Sequence, residues 1–231
     1  MKLSLTIVGA LSLAAACGGK DKGAPTGPGN SGGGDVAGPP YAALFQDGKD
    51  LRYRRVSKSS MYDPDDPKAT PDGQVVDETV TEVKCKVAAR ELGAIRVAQI
   101  TCEGGAEGDS LFDELTAVYV ADARGVWRAI GQSLPADEAA ARALATSETG
   151  KPLLAPSPVA DEQKKEDEQE GFGEMVKTSQ DQSGAWCHEW GSWGGDEGGG
   201  GVCFGAGRGL TKVSSYFAGG MVRDDWFELV P

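Results

Sequence analysis

One histidine, His188, is present in 231 residues. That count excludes most histidine-based catalytic and metal constellations, which need several imidazoles or an imidazole beside a reactive partner. Basic residues are also scarce. There are 23 Lys and Arg against 35 Asp and Glu, a formal net charge of -12. Nucleic acid is therefore not an expected partner, because phosphate backbones are bound by basic faces. A polybasic patch holding the chain on anionic lipid is excluded on the same ground. No apolar run reaches the roughly 20 residues a spanning helix needs. The longest, Leu3 to Leu13, is interrupted by Ser4, Thr6, Gly9 and Ser12. Glycine, by contrast, is abundant: 34 residues, about twice its average usage. Much of the chain is expected to be linker, loop or tight turn. The length fits one domain, or at most a small pair.

The beginning of the chain reads as a secretory signal. Lys2 supplies a positive start, the apolar run follows, and Ala14-Ala15-Ala16 precede Cys17. This arrangement resembles the lipobox of bacterial lipoproteins, with Ala14 where that family more often has leucine. The resemblance implies that 1–16 is a signal peptide and that Cys17 becomes an acylated N-terminus. Gly18 after it, rather than aspartate, implies the outer membrane, on either of its faces. Residues 18–40 hold nine glycines and four prolines in 23 positions. Such a segment cannot offset its ordering entropy and is expected to be a flexible tether. Its mean reach by square-root scaling is roughly 25 Å.

Residues 41–231 read as one β-rich domain. Val75, Thr79, Thr81, Val83, Cys85, Val87 and Ala89 share one parity, the pattern of a long half-buried strand. Ile95 to Cys102 is the next strand, joined by a two-residue Gly93-Ala94 hairpin loop. Leu51 to Val56, Leu115 to Val120, Val126 to Ile130, Trp186 to Trp193, Val202 to Phe204, Leu210 to Phe217 and Trp226 to Val230 are further strands. The alanine-rich stretch 136–147 after Pro135 is the one expected helix. The charge run 161–170, DEQKKEDEQE, suits a solvated helix or a disordered loop. The expected fold is mainly β: an antiparallel sandwich or a strongly curved sheet of about 8–10 strands with one short helix.

With Cys17 acylated, Cys85, Cys102, Cys187 and Cys203 remain. An even number in an exported domain implies two disulfides. The Gly93-Ala94 loop sets Cys85 opposite Cys102, and a loop centred on Gly195 sets Cys187 opposite Cys203. Long-range pairings such as Cys85 with Cys187 stay open on spacing alone. Zinc is disfavoured, because neither pair shows the close spacing of C-x-x-C.

Candidate chemistry is sparse. Trp186, His188 and Trp190 share a strand parity, so they project from one face. They form either an aromatic platform for a ring-shaped ligand such as a glycan, or ordinary sheet aromatics. Gly191-Ser192-Trp193-Gly194 is half of a nucleophile elbow, with Trp190 at the first glycine position. Gly205-Ala206-Gly207-Arg208-Gly209-Leu210 lacks the last glycine of a dinucleotide loop and precedes a strand. Asp63-Pro64-Asp65-Asp66-Pro67 lacks the spacing of a calcium loop. No catalytic residue, metal site or cofactor is expected.

Two segments carry a further resemblance. Leu44-Phe45 through Gly48 to Leu51-Arg52-Tyr53 resembles the entry strand of uncharacterised exported, β-rich lipoproteins of Gram-negative bacteria. Gly207 to Lys212, together with Trp226-Phe227-Glu228-Leu229, resembles their closing strands. The resemblance implies a β-rich exported domain and no particular activity. The expected role is that of a non-enzymatic, lipid-anchored envelope protein, structural or binding. Its partners would be the membrane, through the lipid, and an envelope protein, lipid or glycan. Two alternatives are a carrier of a hydrophobic ligand and a peptidoglycan-binding module.

Overall fold

The computed structural model describes residues 38–104, 109–146, 150–167, 171–194 and 197–231. Cys17 and the segment 1–37 lie outside the described residues, as do Gly195 and Asp196 at the expected hairpin tip.

Eleven strands form one antiparallel sheet. The first five are β1 (Asp50–Tyr62), β2 (Gln74–Leu92), β3 (Ile95–Cys102), β4 (Val118–Asp122) and β5 (Gly125–Ala129). The rest are β6 (Asp161–Asp167), β7 (Phe172–Gln180), β8 (Trp186–Trp193), β9 (Glu197–Gly205), β10 (Gly209–Gly219) and β11 (Met221–Leu229). Their order is β5-β4-β3-β2-β1-β11-β10-β9-β8-β7-β6. Each strand therefore neighbours its predecessor except β6, which lies at the opposite edge from β5, and at the centre the last strand returns beside the first. Tyr53 faces Leu229 and Val56 faces Trp226 across that junction.

The fold is the curved sheet and not the sandwich, with eleven strands rather than eight to ten. Two short helices are present rather than one: α1 (Ser110–Leu115) and α2 (Glu138–Leu144). Leu115, expected to begin a strand, instead ends α1. The charge run also departs from expectation, because Asp161–Asp167 is an edge strand paired along its length with β7. Backbone pairing decides there, and the charged side chains of 161–166 remain exposed.

Curvature is visible in one contact. The rings of Tyr119 on β4 and Phe204 on β9 lie edge-to-face at 6.0 Å between centroids. Six strand spacings separate β4 from β9 in the sheet order. In a flat sheet that is about 29 Å at ~4.8 Å per strand. The sheet is curled until its inner face meets itself. The glycine run of β9 permits this. A Cβ at Gly199 would lie 2.4 Å from the Trp190 carbonyl oxygen, and one at Gly200 2.7 Å from that of Ser214. Only glycine tolerates backbones so close.

The inner face is filled. A short 3-10 turn (Ala42–Phe45) and α1 plug it with Tyr41, Leu44, Leu111 and Leu115, packed on Tyr53, Tyr119, Phe204 and Phe227. Gly209 (φ +85°) lets the backbone of Leu44 approach, since a Cβ there would lie 2.8 Å from the Leu44 nitrogen. The Tyr53 hydroxyl donates to the Leu210 carbonyl at 2.8 Å. Aspartate caps open both helices: Asp109 accepts from the Phe112 amide and Asp137 from the Ala140 amide. On the outer face α2 lays Ala141 and Ala145 over Ile95, Val97, Val118, Val120 and Trp127.

Both hairpins are cross-linked. Cys85 faces and bonds Cys102, and Cys187 faces and bonds Cys203, in the registers that the two loops predict. Sequence separations of 17 and 16 residues make each bond worth about 3 kcal/mol in the chain-entropy model.

Candidate functional site at the seam of the sheet

The curl brings Arg128 of edge strand β5 over Trp190 of β8, and the sequence's aromatic candidates lie in that seam. Trp186, His188 and Trp190 do project from one face of β8, toward the inner side. All three are half-buried, and the two tryptophans pack against the main core. The ring of Trp190 is approached by Arg128 and by the β9 backbone. Arg128 of β5 places its guanidinium 4.5 Å from the ring centroid. A Cβ at Gly200 would sit 2.8 Å from the indole. A sugar ring could stack on the side of Trp190 that faces Arg128 only after Arg128 moved.

Arg128 is itself fixed. It forms an ion pair with Glu114 of α1, and the two side chains are 14% and 19% exposed. Burial raises the Glu114 carboxyl above its ordinary range, against the opposing pull of Arg128. The Tyr119 hydroxyl donates to the Glu114 carbonyl at 3.0 Å, anchoring the end of the helix to β4. The edge of β5 is closed by the chain at 153–154. The Val126 amide donates to the Leu154 carbonyl (2.9 Å), and the Leu153 amide to the Val126 carbonyl (2.8 Å). An edge strand is thus covered without a further strand.

His188 sits under this cover. A hydrogen bond to the Leu153 backbone holds one side of its ring, while Nδ1 is buried without a partner. Burial, and then the nearby Arg128 charge, push the imidazole down to about 4. It is neutral at physiological pH and a weak base. Ser192, its one potential nucleophilic partner in the half-elbow, lies four residues along the same strand, roughly 13 Å away. The Ser192 hydroxyl donates instead to the Gly198 carbonyl at 3.3 Å.

The lowered imidazole has a measurable consequence. The unfolded chain protonates His188 near pH 6.5, the folded chain only near pH 4. Its contribution is therefore intact above pH 6.5 and is lost as pH falls toward 4, by about 3 kcal/mol in all. Urea midpoints measured from pH 7 to pH 4 should fall less steeply for His188→Gln than for wild type. Equal slopes would contradict a buried neutral imidazole.

The remaining motifs lie in turns and loops. Gly205 to Gly209 forms the tight turn between β9 and β10. The Asp63 and Asp66 carboxylates accept from the backbone amides of Asp65 and Lys68 within the β1–β2 loop. Among the described residues one group of three potential metal ligands lies close together: Asp181, Cys187 and Cys203. Both its sulfurs are in a disulfide, and Asp181 already accepts from Ser183 and Ala185.

An open groove of about 460 Å³ adjoins the seam, lined by Arg128, Lys151, Gln163, Thr178 and His188 among others. Sequence reasoning did not reach Arg128 or Glu114. They lie on different elements, and neither belongs to a local motif.

No family model matches this chain, and no curated protein is significantly similar to it. Among solved structures it is similar to a Bacteroides fragilis protein, described as exported and YmcC-like in fold, at 10% identity and a TM-score of 0.26. The match covers 81% of this chain and 99% of that one. A likeness of that strength carries no argument about fold or function.

Proposed function

We propose that this chain is a lipid-anchored protein of the bacterial outer membrane with a non-enzymatic, structural or binding role. The observation that carries this reading is the pairing of the cysteines. Two hairpin disulfides consume Cys85, Cys102, Cys187 and Cys203, and bonds of this kind persist in oxidising compartments outside the cytosol. Cys17 is then the odd cysteine, and it stands where a lipobox would acylate it. Several acyl chains on one residue hold firmly, where a single chain is marginal. The domain needs no basic face for attachment, which agrees with its acidic balance.

The filled inner face argues against carriage of a hydrophobic ligand inside the curl. Arg128 over Trp190 argues against the platform of Trp186, His188 and Trp190 as a glycan site. The neutral, half-buried His188 supports a role without acid–base catalysis. Radiolabelled palmitate supplied to an expressing Gram-negative host tests the anchor. Wild type should carry label and fractionate with the outer membrane, and Cys17→Ser should do neither. Equal labelling of both would overturn the proposal.

A further inference from the structure

Helix α2 covers the outer face of the sheet over β3, β4 and β5. From β6 to β11 the same face carries an open groove of about 690 Å³. The strand registers fix what projects into it, because residues directly opposite one another share a face. One row runs Trp226, Ser214, Gly201, Glu189, Lys177, Glu162. The next runs Asp224, Tyr216, Gly199, Gly191, Met175, Lys164. All of these except Gly201 line the groove. Asp225 borders it too, but its side chain shares the inner face with Phe227 and pairs with Arg223.

The floor is bare of side chains where β8 meets β9. Close backbones require glycine at Gly199, but not at Gly191. A Cβ there would meet nothing nearer than the Gly198 carbonyl oxygen, at 3.5 Å, an ordinary contact. Gly191 does not have a positive φ either. Glycine weakens a strand interior, and where packing does not demand it, it marks close approach by another group. Aromatic rings stand on both sides of this floor. Trp193, two residues beyond Gly191 on the same face, lays its ring where a Cβ of Gly173 would be, 2.0 Å from Cζ2. Tyr216 stands across from it and is 39% exposed. Trp226 has Lys58 and Lys212 at 5.6 and 5.7 Å from its ring centroid, so it serves as a wall. Neither Trp193 nor Tyr216 has a cation or a second ring against it among the described residues. The charged groups on this face are balanced: Glu162, Glu189 and Asp224 against Lys164, Lys177 and Lys212.

We propose that this groove binds a neutral glycan strand several pyranose rings long. The C–H faces of pyranoses suit the negative faces of Trp193 and Tyr216. Sugar hydroxyls both donate and accept, so they satisfy carboxylates and ammoniums alike. Six charged side chains exclude a hydrocarbon, and their balance offers a polyanion no net attraction. The backbone of the floor is already paired in the sheet ladder, so a peptide cannot add to it as a strand. Five strand spacings from β6 to β11 span about 24 Å at ~4.8 Å each, which accommodates a strand rather than a single sugar. The site is on the opposite face of β8 from Trp186, His188 and Trp190. The inference rests on the binding part of the proposed role and is independent of the anchor.

The test uses the full chain carrying Cys17→Ser, so that acylation plays no part. Cellotetraose, chitotetraose, maltotetraose and decaproline are titrated by calorimetry. At least one tetrasaccharide should bind, with an affinity that salt leaves nearly unchanged. Trp193→Ala should weaken that binding by about tenfold. Gly191→Val should abolish it by filling the floor, while the melting temperature stays level or rises, because valine suits a strand better than glycine. Glu82→Gln, exposed on β2 away from the groove, should leave binding unchanged. No binding of any tetrasaccharide would overturn the proposal, and so would binding of decaproline alone, which would make the groove a peptide site. Binding that survives Gly191→Val, or that falls equally in Glu82→Gln, would overturn the site. Failure of palmitate labelling in the wild type would leave this result untouched, so the two readings fail separately.

Discussion

Phe204→Ala is expected to destabilise the domain by about 4 kcal/mol, the upper range for deletion of a buried aromatic. The magnitude follows from where Phe204 sits. It is buried on β9 and meets Tyr119 of β4 at 6.0 Å and Tyr41 of the entry turn at 6.3 Å. These contacts join the two halves of the curled sheet through the core. Neighbouring strands cannot close the gap, because their ladder is already fixed by hydrogen bonds to β8 and β10. A cavity therefore remains, and its cost adds to the lost burial. Urea denaturation of purified protein measures it. A loss below 1 kcal/mol would mean that the halves are not coupled through this ring.

Arg128→Met is expected to cost about as much, roughly 4 kcal/mol, for an electrostatic reason. It leaves the Glu114 carboxylate in a place that already disfavours its charge. Breaking one side of a buried pair costs more than replacing both sides, because the orphaned charge is the expensive species. The double variant Arg128→Met with Glu114→Leu should therefore recover most of the loss. A double variant as unstable as the sum of the two single ones would contradict this explanation. The Arg128 variant also uncovers Trp190, so its fluorescence should shift toward that of a solvated indole.

The sequence revealed those features that depend on local pattern. The alternation from Val75 to Ala89 and the Gly93-Ala94 loop were enough to set β2 against β3 and Cys85 against Cys102. The same reasoning placed Cys187 opposite Cys203. Long-range geometry was not legible. The pairing of β1 with β11 joins residues more than 160 apart, and alternation is silent about which edge meets which. β6 is hidden because DEQKKED carries no apolar face; its partner strand supplies the order. α1 is six residues long and is specified by its Asp109 cap and by packing of Leu111 and Leu115. The seam was half legible. Trp190 and His188 could be placed on one face, but Arg128 and Glu114, which decide what that face can touch, stand on separate elements.

Attachment through Cys17 is the claim on which the proposed location depends. Its most direct measurement is the mass of the N-terminal peptide of the protein taken from the membrane fraction of an expressing Gram-negative host. A peptide beginning at Cys17 and heavier by its acyl chains is the predicted result. A peptide carrying an unmodified Cys17 thiol, or one cut elsewhere, would contradict the account.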